Sequence, residues 1–239
     1  TCYLTDEIII YSDETYFTFS KKLCAKRLGI YDINKVPTVR IPFLLTYDNL
    51  SRDILEVIEQ LKLEGYTTVF IFKNAKVNLI KEEVNLINDG YFLFLNHLNS
   101  AEISLDDMQM KFQITREMIN KNESFITING LNNQKWYVVS GEDPKKVDIA
   151  FKLNSENQIV SCMEEDAIFH CYLPTLEKTG YKFKVNSDFS TDPSRKHLIL
   201  DSETEIAINS AAKVLFSIIK GLFNGKNLHV YGELLDIIN

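Results

Sequence analysis

Phe169–Asp201 reads FHCYLPTLEKTGYKFKVNSDFSTDPSRKHLILD and contains two predicted strands followed by a basic loop. Apolar and aromatic residues are dense from Ala167 to Leu173, which indicates a buried strand. From Lys182 to Phe189 apolar and polar residues alternate, which indicates a strand with one buried face. A proline and a glycine between the strands predict a loop. The polar, basic segment Ser194–Lys196 follows the second strand, so this strand end is a place where a charged ligand could bind.

The composition indicates a folded domain with an acidic surface. The chain has 239 residues, 45% of them hydrophobic, and a net charge of −7. A chain of this length buries roughly 70% of its unfolded surface. The acidic balance argues against a general binder of nucleic acid or anionic membranes, because such binding is driven by cations that displace counterions. No apolar run reaches the about 18 residues that span a bilayer.

The four cysteines show neither metal-ligand spacing nor a disulfide framework, which favours a reducing compartment. We therefore expect a cytoplasmic, intracellular protein without a metal site. His170 and Cys171 do not form a nucleophile pair, because neighbours in a strand point to opposite faces. We interpret Cys171 as a buried structural cysteine and Trp136 as a core residue of a sheet.

Basic residues cluster near the N-terminus. Lys21, Lys22, Lys26 and Arg27 lie within one short segment. Two interpretations stay open, a contact for phosphate and the solvated face of a helix. If the patch bound nucleic acid, the affinity would depend steeply on salt.

The remaining periodicities predict an α/β (α+β) fold with mixed, largely antiparallel sheets and helices packed on one side. We expect hairpin strands at 7–11 and 15–19, an edge strand at 39–45, a helix at 51–64, a strand at 67–72, a helix at 79–88 and a strand at 91–95. Past Ser100, polar turns separate strands at 111–118, 124–128, 135–140, 147–153 and 158–162, which indicates an antiparallel meander. A long helix is expected after Asp201, with Ser202 as its cap.

Four short motifs stand in a fixed order between residues 172 and 195. They are Tyr172–Thr175 (YLPT), Thr179–Gly180 (TG), Asn186–Phe189 (NSDF) and Pro193–Arg195 (PSR). This order resembles the end of the ATPase region in the sacsin/No Vein type of GHKL (histidine-kinase-like, heat-shock-chaperone-like) ATPases. In that family a strand ending in FLPT precedes a TG turn, a strand ending in ADF and a PSSR-like loop. Thr1–Asp6 resembles the segment that follows the family's phosphate loop.

The resemblance implies the transducer, or middle, domain of such an ATPase. Residues 1–48 would then be the tail end of the nucleotide-binding domain and residues 49–239 the middle domain, with a sub-boundary near 100. The family's DxGxG turn and GxxGxK phosphate loop are not found in the sequence, so the resemblance places them upstream of Thr1. ATP and Mg²⁺ are implied for the parent protein, whereas this fragment would bind neither tightly and would not hydrolyse ATP alone.

The resemblance also implies a basic residue that reaches the terminal phosphate of ATP. Arg195 is the first candidate for this catalytic contact and Lys196 the second, because the family motif favours Arg195. Adjacent residues of an extended segment face opposite ways, so only one of the two should face the nucleotide. The candidate cofactor-binding residues are Ser194 and Thr1. A guanidinium suits the role because it keeps its charge and can donate two hydrogen bonds to phosphate. Two alternatives stay open. Arg195 and Lys196 are solvated cations of the loop, or Arg195 is a structural arginine that pairs with Asp188 or Asp192 and holds the loop.

The function implied is ATP-driven conformational change in a chaperone-like or defence-related machine. The implied partners are the upstream nucleotide-binding domain and a protein client, and a homodimer stays open. A membrane is not expected as a partner, and nucleic acid is not expected to bind through this fragment. Two other classes remain: a non-catalytic protein-interaction module, and a nucleic-acid-binding module that uses the basic patch at 21–27.

Overall fold

The structure of the chain is a computed structural model that describes residues 4–37, 40–225 and 237. It divides into two units, Thr1–Leu86 and Ile87–Asn239. Both units combine helices with sheets, so the expected mixed α/β (α+β) class is confirmed. The assignment of residues 1–48 and 49–239 to a nucleotide-binding and a middle domain stays a prediction.

The first unit, as far as the structure describes it, is a four-stranded antiparallel sheet with three α-helices. Its elements are β1 (Glu7–Ser12), β2 (Thr15–Ser20), α1 (Lys21–Leu28), β3 (Phe43–Leu45), α2 (Arg52–Leu63), β4 (Thr68–Lys73) and α3 (Val77–Asn85). The strand order is β3-β2-β1-β4. β1 and β2 form the predicted hairpin, and the two residues of its turn, Asp13 and Glu14, both have positive φ, as tight hairpin turns require.

Helix α2 supplies much of the core of the first unit. It begins after Ser51 and ends before Gly65, as its apolar spacing predicts. The buried side chains of Ile54, Leu55 and Ile58 form one stripe of the helix, and this stripe packs against β1 and β4. Burial of the stripe removes one side of the helix and one face of the sheet from water.

The second unit is a nine-stranded sheet with one long helix, within the described residues. Its elements are β5 (Ser100–Leu105), β6 (Met108–Asn120), β7 (Glu123–Asn129), β8 (Gln134–Gly141), β9 (Val147–Leu153), β10 (Ile159–Val160), β11 (Ile168–Cys171), β12 (Leu173–Lys178), β13 (Lys184–Ser187) and α4 (Ser202–Phe223). The strand order is β12-β11-β13-β9-β8-β7-β6-β5, and β10 pairs with β9. β11 and β13 are parallel to each other, while the meander from β5 to β9 is antiparallel.

Helix α4 covers one face of the second sheet. Val214 and Ile218 of the helix lie in one buried cluster with Ile149 and Val185 of the sheet. The alternation of apolar residues in β13 therefore points its predicted face at α4, as expected.

The opposite face of this sheet is covered by residues 89–98 rather than by a helix. Phe94 of this segment packs against His170 of β11, with ring centroids 4.9 Å apart. The guanidinium of Arg116 donates two hydrogen bonds of 2.8 Å to carbonyl groups of the segment. Because both faces are covered, β13 is buried at every position and β9 at all but Lys152, including positions that alternation places in solvent.

Three strand predictions differ from the structure. The edge strand expected at 39–45 is confined to Phe43–Leu45 within the described residues. Residues 91–95, predicted as a strand, are not in a sheet, and a 3₁₀ helix spans Asp89–Phe92 instead. A short apolar run carries no period that separates a strand from another buried segment. The loop predicted after Leu173 contains β12, which lies at the edge of the sheet, where Pro174 removes no hydrogen bond from the ladder.

Helix α4 begins at Ser202, as predicted, but the preceding aspartate is the residue that caps it. Thr204 N donates a hydrogen bond of 2.9 Å to Asp201 Oδ1. This bond is the largest of the causes that hold the pKa of the Asp201 carboxyl below its usual range. The cap satisfies one of the backbone N–H groups that a helix leaves free at its first turn.

Gly141, at the end of β8, lies directly against α4. A Cβ built on Gly141 comes within 2.3 Å of Val214 Cγ2. Val214 is β-branched and lies in a helix, so its side chain has one strongly preferred rotamer and cannot easily turn away. We expect Gly141→Ala to lower the free energy of unfolding of this unit by about 2 kcal/mol. Urea denaturation followed by the fluorescence of Trp136 measures it, and an unchanged midpoint would contradict the close contact.

Candidate functional site

The Arg195 loop, defined as residues 192–197, follows β13 in the second unit. An antiparallel bridge between Thr191 and Leu198 closes its base. Asp192 N donates a hydrogen bond of 3.0 Å to His197 O across the loop. The segment is therefore a loop, as the sequence predicts, but it is a closed turn and not an extended segment in which Arg195 and Lys196 would face opposite ways.

The carboxylate of Asp192 holds this loop together. It accepts hydrogen bonds from Ser194 Oγ at 2.7 Å, from Lys196 N at 3.1 Å and from His197 N at 3.2 Å. The hydrogen bond from the Ser194 hydroxyl is the largest of the causes that lower the pKa of Asp192. A carboxylate that accepts several hydrogen bonds favours its ionised form, so the loop is built around a stable negative charge.

Arg195 lies at the exposed tip of the loop. Its backbone has a φ of +60°, and its N–H donates a hydrogen bond of 2.9 Å to Asp192 O. This left-handed conformation costs a residue other than glycine about 1 kcal/mol. Among the residues that the structure describes, the Arg195 guanidinium has no hydrogen-bond or ion-pair partner. The structural alternative, a pair with Asp188 or Asp192, does not form, and the Asp192 carboxylate holds the loop through other groups.

The loop is anchored to the edge strand β12 at two points. Leu176 N donates a hydrogen bond of 2.8 Å to Lys196 O. The ring of His197 lies 2.9 Å, Nδ1 to Oε1, from the carboxylate of Glu177. These anchors fix the base of the loop while its tip stays in solvent.

The predicted site residues are brought together in part. Ser194, Arg195 and Lys196 lie on the same loop, but the Ser194 hydroxyl is used by Asp192, and the Lys196 side chain is half-buried. Arg195 is therefore the residue whose charge is most open to a ligand. Thr1, the other candidate cofactor-binding residue, lies outside the described residues.

An apolar rim, defined as Leu176, Ile199 and Leu200, borders the loop. Leu200 is 85% exposed and Leu176 is 60% exposed. Leu176 and Ile199 are both tied by backbone hydrogen bonds to the segment that carries the loop. Exposed apolar side chains next to an exposed arginine make the apolar rim a candidate contact surface for another molecule.

A row of buried polar side chains crosses the sheet at the strand ends near the loop. Asn186 of β13 donates a hydrogen bond of 2.9 Å to Asp148 Oδ2, and Ser140 donates one of 2.6 Å to Asp148 Oδ1. His170, beside Asn186 in the register, completes the row. Neither ring nitrogen of His170 has a hydrogen-bond partner, and burial first, then the charge of Lys184, lowers its pKa well below 6.5.

Lys184 is a buried cation on the same face of β13 as Asn186. Its ammonium group donates to the carbonyl of Asp166 and lies 5.4 Å from the ring centroid of Trp136. Burial lowers the pKa of Lys184 because the charged form loses water. The carbonyl and the aromatic face compensate for part of that loss. Cys171 is buried, as interpreted, and burial raises the pKa of its thiol.

Asp192 is the site residue that sequence reasoning missed as an organising group. The signal was present in Asp192-Pro193-Ser194, since aspartate and serine accept local backbone hydrogen bonds and proline initiates turns. No set of three or more His, Cys, Asp or Glu side chains in the described part of the chain is placed to hold a metal ion.

Comparisons with models of protein families, with curated proteins and with solved structures found no match to this chain. The resemblance to GHKL ATPases is thus carried by the sequence motifs, and we treat it as a hypothesis. None of the helices among the described residues has both the length and the apolar character needed to cross a membrane.

Proposed function

We propose that this chain is the middle part of a GHKL-type ATPase in which Arg195 contacts the terminal phosphate of a nucleotide held by another domain. The observation that carries the proposal is the exposed guanidinium of Arg195, which has no partner among the described residues and sits on a loop closed by Asp192. The motif order between residues 172 and 195 supports the same role.

The geometry suits a phosphate contact for an electrostatic reason. A guanidinium keeps its charge and can donate paired hydrogen bonds to phosphate oxygens. A group that is held in place before the reaction stabilises developing charge without having to reorganise. The hydrogen bonds of Asp192 fix the backbone on both sides of Arg195, so the point from which its side chain extends is held before a ligand arrives.

The apolar rim supports docking of the loop against another domain. Burial of Leu176, Ile199 and Leu200 against a partner would remove the water around Arg195. A charge–charge contact is stronger in such a dry interface than in solvent. Hydrolysis would in this way be coupled to the position of the middle domain.

We expect Arg195→Ala to lower the turnover number for ATP in the full-length protein by about tenfold or more, which corresponds to about 1.4 kcal/mol of transition-state stabilisation. The affinity for ATP should change by less than about threefold, because the bulk of the nucleotide is held elsewhere. Steady-state hydrolysis and a separate titration with fluorescent nucleotide measure the two quantities.

The matched control is Lys213→Ala, which removes an exposed cation of α4 from the same unit. It should leave turnover unchanged. Arg195→Lys should restore only part of the rate, since an ammonium group does not offer the paired donors of a guanidinium. Full activity of Arg195→Ala would remove Arg195 from the mechanism.

The second candidate function is a protein-interaction module without catalysis, and the exposed apolar rim favours it. In that case Leu200→Asp should abolish binding of the partner. The full-length protein should show no ATP turnover, with or without a substitution at Arg195. Turnover that depends on Arg195 would instead decide for the ATPase.

A further inference from the structure

We infer that the first unit carries a second, separate binding site, a cleft that takes a small organic anion with an apolar body. The cleft has a volume of about 620 Å³ and lies at the end of the sheet where β1 starts and β2 and β4 finish. This volume is within the range of about 300–1,000 Å³ in which small-molecule sites are found. All of its lining residues belong to the first unit, so the site does not depend on the Arg195 loop.

The charged groups of the cleft leave one positive charge in excess. The cleft is lined by three lysines, Lys21, Lys22 and Lys73, and by two carboxylates, Asp6 and Glu7. This balance contrasts with the net charge of −7 on the whole chain. An anion is therefore attracted to the cleft although the chain as a whole repels it.

Lys22 is the cation that is available to a ligand. Lys73 Nζ lies 3.2 Å from Glu7 Oε2, and Lys21 Nζ lies 3.6 Å from Asp6 Oδ1, so both are paired. Lys22 is exposed, and among the described residues its ammonium group has no ion-pair or hydrogen-bond partner. An incoming anion can pair with Lys22 without breaking an existing interaction.

Apolar residues also line the cleft. Phe43, Leu44 and Leu45 of β3 line the cleft together with Leu23 of α1. Leu44 is 77% exposed, so its side chain is available for contact. A ligand that fits must present an anionic group to Lys22 and an apolar group to β3, which defines its chemical class.

The structure divides the basic patch that the sequence shows at 21–27. Lys21 and Lys22, at the start of α1, line the cleft, whereas Lys26 and Arg27, in its last turn, are exposed and outside it. The phosphate-contact interpretation thus applies to the first pair and the solvated-helix interpretation to the second. This division supplies a matched pair of variants on one helix.

The experiment uses 1-anilinonaphthalene-8-sulfonate as the probe, because it combines a sulfonate with an apolar ring system. We expect the full chain to bind it with enhanced fluorescence, and Lys22→Glu to weaken the affinity by about fivefold or more, as reversal of one ion pair requires. Lys26→Glu, the same change one helical turn away, should alter the affinity by less than about twofold.

The apolar half of the site is tested by Leu44→Ser. This change should lower the affinity for the probe by about threefold, since it removes exposed apolar contact area. Leu63→Ser, at a residue that is 90% exposed and outside the cleft, should have no effect. Neither substitution touches a buried side chain, so both variants should remain folded.

Competition separates the two halves of the ligand. Naphthalene-1-sulfonate should displace the probe at concentrations about tenfold lower than inorganic phosphate, which lacks the apolar body, or 1-naphthol, which lacks the anion. Amide resonances of residues 20–23 and 43–45 should shift during the titration. Equal effects of Lys22→Glu and Lys26→Glu, or amide shifts confined to the second unit, would overturn the inference.

Discussion

Gly130→Ala should lower the free energy of unfolding of the second unit by about 4 kcal/mol, the largest effect of any single methyl group that we expect here. A Cβ built on Gly130 comes within 2.4 Å of Asp89 Oδ1 and within 2.4 Å of Phe112 Cδ1. Real Cβ atoms do not approach heavy atoms this closely, so both neighbours, or the backbone at Gly130, must move. The size of the effect depends on how firmly those neighbours are held.

Both neighbours of Gly130 are held firmly. The carboxylate of Asp89 is fully buried and accepts hydrogen bonds of 2.7 Å from Leu131 N and from Asn132 N in the turn between β7 and β8. If the new methyl group displaced it, the two N–H groups would lose their acceptor, at about 1–3 kcal/mol for each buried group left unsatisfied. Phe112 is buried in the core.

Gly180→Ala is the control for Gly130→Ala. Nothing lies within 4 Å of a Cβ built on Gly180, but its φ of +79° is left-handed. The control should therefore cost only about 1 kcal/mol of backbone strain. Urea denaturation followed by Trp136 fluorescence compares the two variants. A loss at Gly130 no greater than at Gly180 would refute the close packing of Asp89 against the turn.

The sequence predicts the elements of this fold wherever the period is long. The hairpin of β1 and β2, helix α2 and the meander from β6 to β9 each extend over enough residues for alternation or helical spacing to appear. The run at 91–95 is too short for a period, and the segment forms part of a covering layer whose contacts lie far away in the sequence. Its conformation is decided by what it covers.

The position of the Arg195 loop could be predicted from the sequence, but its conformation could not. The strand before it and the turn residues within it are local signals. The left-handed backbone of Arg195 depends on three hydrogen bonds to the Asp192 carboxylate and on the hydrogen bond from Leu176 N to the loop. Leu176 lies in an edge strand, where Pro174 led to the prediction of a loop. Such contacts follow from tertiary structure, which a single sequence does not display.

Burial of the row around His170 has the same origin. Alternation in β13 places Lys184 and Asn186 on the face opposite to Phe183 and Val185, and it predicts solvent for them. The structure buries them because residues 89–98 cover that face. The chain thus holds ionisable groups in its interior, and their titration should be visible in its stability.

Below pH 6.5 the second unit should lose stability because of His170. The folded pKa of His170 is depressed by burial, so the unfolded chain binds a proton that the folded chain does not. The stability from this group is complete above pH 6.5 and falls by about 1.4 kcal/mol for each pH unit below it, until the folded pKa is reached.

His170→Leu isolates this effect, since the other titrating groups are the same in both proteins. The difference in unfolding free energy between wild type and variant should be small at pH 8 and should move in favour of the variant as the pH falls, because the variant has no imidazole to protonate and loses nothing to Lys184 repulsion. Parallel pH profiles for wild type and His170→Leu would mean that His170 gains a proton in the folded protein, and that the pocket formed with Phe94 opens to water.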